Sequence, residues 1–152
     1  MIDLSTTYAG MTLKSPFIVS SSGLTSSVER IRKIASAGAG GVVLKSLFEE
    51  QIMYEAGSMS EGSGHTEAED YLRTYSRENS LDNYLALIRG AREQAGIPVM
   101  ASINCMKARE WVDFALQIQE AGADALELNI YFLPLDPQKS PREYETAYLD
   151  VV

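Results

Sequence analysis

The chain has 152 residues, 45% apolar, with 13 basic against 21 acidic side chains and a formal net charge of −8; this suits one globular domain and leaves too little positive charge for nucleic acid to be the main partner. Its apolar runs fall far short of the roughly 20 residues that span a bilayer, and Met1–Tyr8 lacks the basic start and apolar stretch of a secretory signal. The single cysteine, Cys105, permits no internal disulfide, so the expected setting is the reducing cytoplasm, away from membranes.

Residues 1–15 alternate weakly around Gly10 (Leu4 and Thr6, then Met11 and Leu13) and predict a short hairpin or extended arm. Phe17–Ser20 is the first strand, introduced by Pro16 and ended by the turn Ser20-Ser-Ser-Gly23. Ser26 or Ser27 can cap a helix whose apolar positions Val28, Ile31, Ile34 and Ala35 keep helical spacing. That helix closes at Ala37-Gly38, and Gly41–Leu44 is a second strand that ends on Lys45-Ser46. Leu47–Tyr54 reads as a short helix. Residues 55–78 are polar and Gly/Ser-rich, a length expected of a lid or mobile loop. His65 lies there without ligating neighbours at metal spacing, and reads as a solvated loop residue.

A helix is expected from Leu81 to Ala95, with Tyr84, Leu85, Ile88 and Ala91 on one face and Gly96 as its stop. Pro98–Ile103 is the third strand, ending on Asn104-Cys105. The third helix covers about 108–121, with Trp111, Ala115 and Ile118 at helical spacing, and Ala125–Asn129 is the fourth strand. A loop with Pro134 and Pro137 leads to Pro141, which suits the first turn of a last helix toward Val152.

Two junctions repeat: Ala37-Gly-Ala-Gly-Gly-Val-Val-Leu-Lys45 and Ala121-Gly-Ala-Asp-Ala-Leu-Glu-Leu-Asn129. Each ends a helix on glycine, runs through a short apolar strand and finishes on a polar residue. The order βαβαβαβα implies a parallel sheet with helical crossovers, and four such units amount to half of a (β/α)8 TIM barrel. Half a barrel leaves two unpaired edges. The expectations are therefore a piece of a longer chain, a pairing of copies, or an open four-stranded sheet.

Alternation favours the barrel. Val43, Met100, Ser102, Ala125 and Glu127 share one face with Lys45, Asn104 and Asn129, while Val42, Leu44, Val99, Ala101, Ile103, Leu126 and Leu128 lie opposite. An open sheet covered on both sides would be aliphatic on both faces. The polar endings, Ser20 to Ser22, Lys45-Ser46, Asn104 and Asn129, all fall at C-terminal strand ends, where α/β proteins bind ligands.

Ser15-Pro-Phe17, the Ser20–Gly23 turn, Leu44-Lys45-Ser46 and Gly122–Asn129 together resemble the dihydroorotate dehydrogenase family. Leu47-Phe-Glu-Glu-Gln-Ile52 is shared with dihydroorotate dehydrogenase-like proteins, and Val99–Cys105 also resembles the flavin-and-pyrimidine domain of dihydropyrimidine dehydrogenase. The resemblance implies a TIM barrel holding FMN at the C-terminal strand ends, with residues 1–152 as a single domain forming its N-terminal half. It implies cofactor contacts from Ser20, Ser21, Ser22, Gly23, Lys45, Ser46, Asn104 and Asn129, and substrate contacts from Lys45 and Asn129. Lys45 is the best candidate for a catalytic role, and no metal is implied. The implied activity is that of an FMN-dependent oxidoreductase on a CH–CH group of a small substrate, in pyrimidine metabolism. A lysine or amide donor would stabilise the negative charge of the reduced flavin.

The family follows its fourth strand with Asn-Leu-Ser-Cys-Pro-Asn, whereas this chain has Asn129-Ile-Tyr-Phe-Leu-Pro134. Phe132 stands where the catalytic cysteine would be, and the family's Asn-Ser-Met-Gly-Leu segment is absent from 55–78. Cys105 follows strand three and reads as a small packing residue, so dihydroorotate is not the expected substrate. The family's strand-five lysine and glycine-rich phosphate site lie beyond residue 152. The chain alone is therefore expected to be colourless, and to act as a homo-oligomer or when completed by a C-terminal half. The alternative is a non-catalytic truncated half-barrel that works only by assembly with another chain. Glu127 is expected to be buried with Lys45 as its partner. Tyr131 and Phe132 either stack over a substrate or pin their loop, and Glu49 and Glu50 sit on a solvated helix face.

Overall fold

A computed structural model describes residues 2–48, 66–104, 108–130 and 134–149, those at 48, 66–79, 108–111 and 147 by backbone only. The expected N-terminal hairpin is present: β1 (Thr6–Tyr8) and β2 (Met11–Leu13) pair antiparallel with Tyr8 opposite Met11. Ala9 and Gly10 between them both take positive φ, 46° and 77°, as a two-residue hairpin turn matched to strand twist requires. Leu13 is fully buried beneath it.

After the hairpin come β3 (Ile18–Val19), a 3-10 turn (Gly23–Thr25), α1 (Val28–Ser36), β4 (Gly41–Val43) and β5 (Leu47–Phe48). They are followed by α2 (Thr66–Ala95), β6 (Val99–Asn104), α3 (Ala108–Glu120), β7 (Ala125–Leu128) and α4 (Pro141–Leu149). Every pairing in the second sheet is parallel: β3 with β4, β4 and β5 with β6, and β6 with β7. β4 and β5 lie along the same edge of β6, so they are one strand with a break. Val43 opposes Met100 and Leu47 opposes Ile103. Between these pairs Leu44, Lys45 and Ser46 face only Ala101 and Ser102, the extra residue that defines a β-bulge.

Strand order across the sheet thus follows chain order: β3, β4–β5, β6, β7. A doubly wound sheet reverses its order part-way; this one does not. With right-handed crossovers, such winding carries the helices to one face. The core lies on that face, where Val42, Leu44, Val99, Ala101 and Ile103 pack against Ile31 and Ala35 of α1, Leu85 and Ile88 of α2, and Phe114 and Ile118 of α3. Each fully buried side chain of this size contributes about 1.5–3 kcal/mol, far more than a surface ion pair such as Glu29–Lys33.

The repeated junction is a repeated cap. Gly38 donates to the Ala35 carbonyl and Ala39 to Ile34, while Gly122 donates to Gln119 and Ala123 to Ile118. With φ of 102° and 93° at the two glycines, both helices end in the same Schellman motif. Gly40 meets a different need: a Cβ there would stand 1.9 Å from the Ser15 carbonyl oxygen, so the chain after the hairpin passes directly over it.

Four expectations are corrected. Leu47 and Phe48 begin no helix but extend the second strand, because their backbones pair with Ile103 and Asn104. The polar stretch at 55–78 is helical from Thr66 onward, since 66–80 holds neither Gly nor Pro and many good helix formers. Ser27 occupies the N-cap of α1 without a side-chain capping bond; Ser22 instead caps the 3-10 turn through Leu24 N–H. On α3 the buried face is Phe114, Ile118 and Ala121, with Ala115 only half-buried. Glu49, Glu50, His65, Cys105, Tyr131 and Phe132 lie outside the described residues.

Candidate functional site

The sheet face away from the helices carries Val43, Met100 and Ala125 toward the start of the strands and a row of polar groups toward their ends. The bulge creates that row. In a regular strand Lys45 and Ser46 would point to opposite faces; here Ser46 is buried beside Ser102, on the face that also carries Glu127. Lys45, two residues beyond Val43, is exposed, and its N–H reaches the Thr25 carbonyl at 3.5 Å.

Ser46 joins three strands. Its N–H donates to Ser21 Oγ at 2.9 Å, its own Oγ lies 3.0 Å from Ser21 Oγ, and it lies 2.7 Å from Ser102 Oγ. Ser102 Oγ donates in turn to Glu127 Oε1 at 2.6 Å. Four side chains from successive strands therefore form one hydrogen-bonded line across the sheet. Ser46 and Ser102 are buried at 6% and 0% exposure, so a polar group in this row must be satisfied within it.

Tyr84 of α2 explains how the bulge is held. The carbonyls of Pro98 and Met100 point to β4, accepting from Val42 and Leu44, while those of Val99 and Ile103 point to β7. By alternation Ser102 faces the strand break: its carbonyl accepts from Leu47 N–H in the β5–β6 pairing, but its N–H meets no backbone carbonyl among the described residues. The Tyr84 hydroxyl fills the gap, accepting from Ser102 N–H at 2.8 Å and donating to Ser102 C=O at 3.0 Å. Burial pushes the phenol well above its ordinary value, the nearby Glu127 charge adding to the shift and the Ser102 backbone bond opposing it. The hydroxyl keeps its proton.

The remaining predicted residues divide. Ser20 is exposed and lines a cleft of about 570 Å³ with Tyr8, Ile18, Val43, Met100 and Glu127, nearer the strand starts than the serine row. Ser22 spends its side chain on the cap, its N–H and carbonyl on Thr25. Gly23 has ordinary φ, and nothing stands within 4 Å of a Cβ built there. Neither backbone nor packing demands glycine, so the backbone is open to close approach. Asn104 donates from Nδ2 to the Asn129 carbonyl at 2.8 Å, and Asn129 N–H donates to Ile103. The two asparagines thus sit side by side at adjacent strand ends. The structure brings Ser21 and Ser46 together and pairs Asn104 with Asn129; no side-chain hydrogen bond or ion pair joins Lys45 to either group among the described residues.

Glu127 departs from expectation. Its side chain is exposed rather than buried, and its partner is Ser102 rather than Lys45. Sequence reasoning passed over Ser102 and Tyr84 as site residues. The available signals were a serine at the inner position of an otherwise aliphatic strand and a hydroxyl on an apolar helix face. It also passed over Asp124, which accepts from Val99 N–H and Arg92, both at 2.8 Å, and so ties the start of β7 to β6 and α2.

No family model matches the chain. It is similar to the catalytic subunit of dihydroorotate dehydrogenase B (NAD(+)) from Thermoplasma acidophilum, 32% identical over 132 residues, which is 86% of this chain and 42% of that protein. The corresponding subunit from Methanocella arvoryzae is 34% identical over 122 residues, 80% of this chain and 38% of that one. The NAD-dependent dihydropyrimidine dehydrogenase subunit PreA of Escherichia coli is 32% identical over 134 residues, 84% and 32% respectively. The chain spans between a third and a little over two fifths of the length of these relatives. Among solved structures, an IMP dehydrogenase/GMP reductase-like protein from Corynebacterium glutamicum aligns at TM-score 0.48 and 16% identity, over 99% of this chain and 41% of that one. No described helix is long and apolar enough to cross a membrane.

Proposed function

We propose, from its likeness to dihydroorotate dehydrogenase and dihydropyrimidine dehydrogenase subunits, that this chain forms the first four βα units of a TIM barrel that binds FMN and acts on a CH–CH group of a small substrate. The observation that carries the reading is the bulge. It lifts Lys45 and Ser46 together out of a strand whose neighbours end in Ser20–Gly23, Asn104 and Asn129. The residues fit a planar polar cofactor: Gly23 leaves room for backbone approach, Ser21 and Ser46 offer hydroxyls, and the Asn104 and Asn129 amides stand at the next two strand ends.

Bound FMN would supply the two-electron acceptor. Lys45, a cation at an exposed rim, would bind a carbonyl or carboxylate edge and oppose negative charge developing there. Asn129 would orient the substrate with it. Ser20 to Ser22 and the bulge would exclude water from one side. Completion of the barrel by further βα units, or by another chain, would supply the phosphate cradle these residues lack. Localisation in the cytoplasm and a role in pyrimidine chemistry follow from the same likeness.

The test is a fluorescence titration of FMN into the native-length protein and its Lys45→Ala and Asn129→Ala forms. Both variants are expected to bind FMN at least about tenfold more weakly, as for the loss of a hydrogen bond to a charged group. Unchanged FMN binding by both variants would remove these residues from the site.

A second reading is favoured by the sheet edges at β3 and β7, unpaired among the described residues: a non-catalytic half-barrel that functions by assembling with itself or another chain. A stable complex without flavin, seen by sedimentation, would select it.

A further inference from the structure

Every hydroxyl in the serine row has one proton, and the row has a fixed end. An ionised Glu127 carboxylate only accepts, so the 2.6 Å bond commits the Ser102 proton to Glu127. Ser46, 2.7 Å from Ser102 Oγ, must then donate to it, and Ser21 must donate to Ser46. The other end agrees, since Ser21 Oγ accepts from Ser46 N–H, which leaves its own proton free to point back toward Ser46. All three dipoles run the same way, Ser21 to Ser46 to Ser102 to Glu127, and chains of this kind strengthen one another.

We infer that Glu127 is a positioning residue that polarises this three-serine relay and so leaves Ser21, the half-buried end of the row, with one free lone pair and no proton to offer. Ser21 therefore takes a ligand N–H and turns away a ligand carbonyl, while Lys45 offers the reverse preference. The consequence for a ligand rests on the flavin-site reading above; the polarity of the relay does not, and it is measurable in the chain without any flavin. Tyr84 belongs to the same device, since it holds the Ser102 backbone in place at the break.

Deuterium isotope shifts on serine Cβ signals, recorded by NMR in mixed light and heavy water, report how fast each hydroxyl proton exchanges. In the wild-type chain Ser21, Ser46 and Ser102 are expected to exchange slowly. Glu127→Ala should accelerate all three by at least about tenfold, the protection expected of a hydrogen bond to a charged acceptor, although Ser21 and Ser46 do not touch residue 127. Glu127→Gln keeps an acceptor oxygen and should restore slow exchange. Ser102→Ala cuts the row in the middle and should free Ser21 and Ser46 alone, which serves if the alanine at 127 does not fold. Slow exchange at Ser21 that survives both Glu127→Ala and Ser102→Ala would overturn the inference. A chain that shows the expected exchange pattern but binds no flavin at native length would sink the flavin reading and leave the relay standing.

Discussion

Tyr84→Phe removes one oxygen and nothing else, which makes it the sharpest probe of how the site is built. The phenol ring remains to pack with Leu85 and Ile88 in the core, but the Ser102 N–H loses its acceptor at the strand break, while the carbonyl keeps the Leu47 N–H of the β5–β6 pairing. Ser102 is fully buried, so water cannot replace the hydroxyl without opening the sheet. An unsatisfied buried backbone N–H costs about 1–3 kcal/mol, whereas a carbonyl that keeps one donor loses little. The orphaned N–H puts the loss at about 1–3 kcal/mol, a large share of the roughly 5–15 kcal/mol that stabilises a typical domain. Urea denaturation followed by circular dichroism should show a lower midpoint at unchanged slope, and hydrogen exchange should accelerate most at the Ser102 amide. A change under about 0.5 kcal/mol, the range of an ordinary surface substitution, would mean that the hydroxyl does not hold the bulge.

The same residue gives a pH prediction. Its folded-state phenol is raised, so the fold holds this proton more tightly than the unfolded chain does. That contribution is complete below the ordinary phenol value of about 10 and is lost as pH climbs above it; Tyr84→Phe should flatten the decline in a pH series of melts. Gly40→Ala drives a methyl into the Ser15 carbonyl and should destabilise by about 1–3 kcal/mol or more, whereas Gly23→Ala, with open space around it, should leave stability within about 0.5 kcal/mol and act only on ligand binding. Asp124→Ala should cost about 1–3 kcal/mol because it orphans Val99 N–H. Arg92→Ala, which breaks only the half-exposed ion pair, should cost under about 1 kcal/mol; equal losses would mean that the ion pair, not the backbone bond, carries Asp124. The 152-residue chain by itself should stay colourless when FMN is added and dialysed away.

Periodicity made the elements legible. Glycine after an amphipathic run marked the ends of α1 and α3, and the Ala-Gly-Ala repeat did so for one physical reason, a shared left-handed cap at Gly38 and Gly122. Alternation likewise separated Val42, Leu44, Val99, Ala101 and Ile103 from the polar face. The bulge was hidden. Nothing in Leu44-Lys45-Ser46-Leu47 announces an extra residue, because the cause lies about forty positions on, in a tyrosine whose hydroxyl reaches across to β6. Reading Leu47 onward as helix followed from that blindness. Glu127 was placed on the correct face but given the wrong environment. Burial depends on what covers the face, whereas strand parity depends only on the local chain.

The central claim is that the polar face of this sheet is half of a flavin site. The visible absorption spectrum of the native-length protein, purified from the cells that encode it, tests that claim most directly. The account predicts a flavin spectrum at close to one FMN per chain, bleached by dithionite and depleted in the Lys45→Ala form. A native-length protein that is folded, colourless and unable to take up added FMN would contradict it.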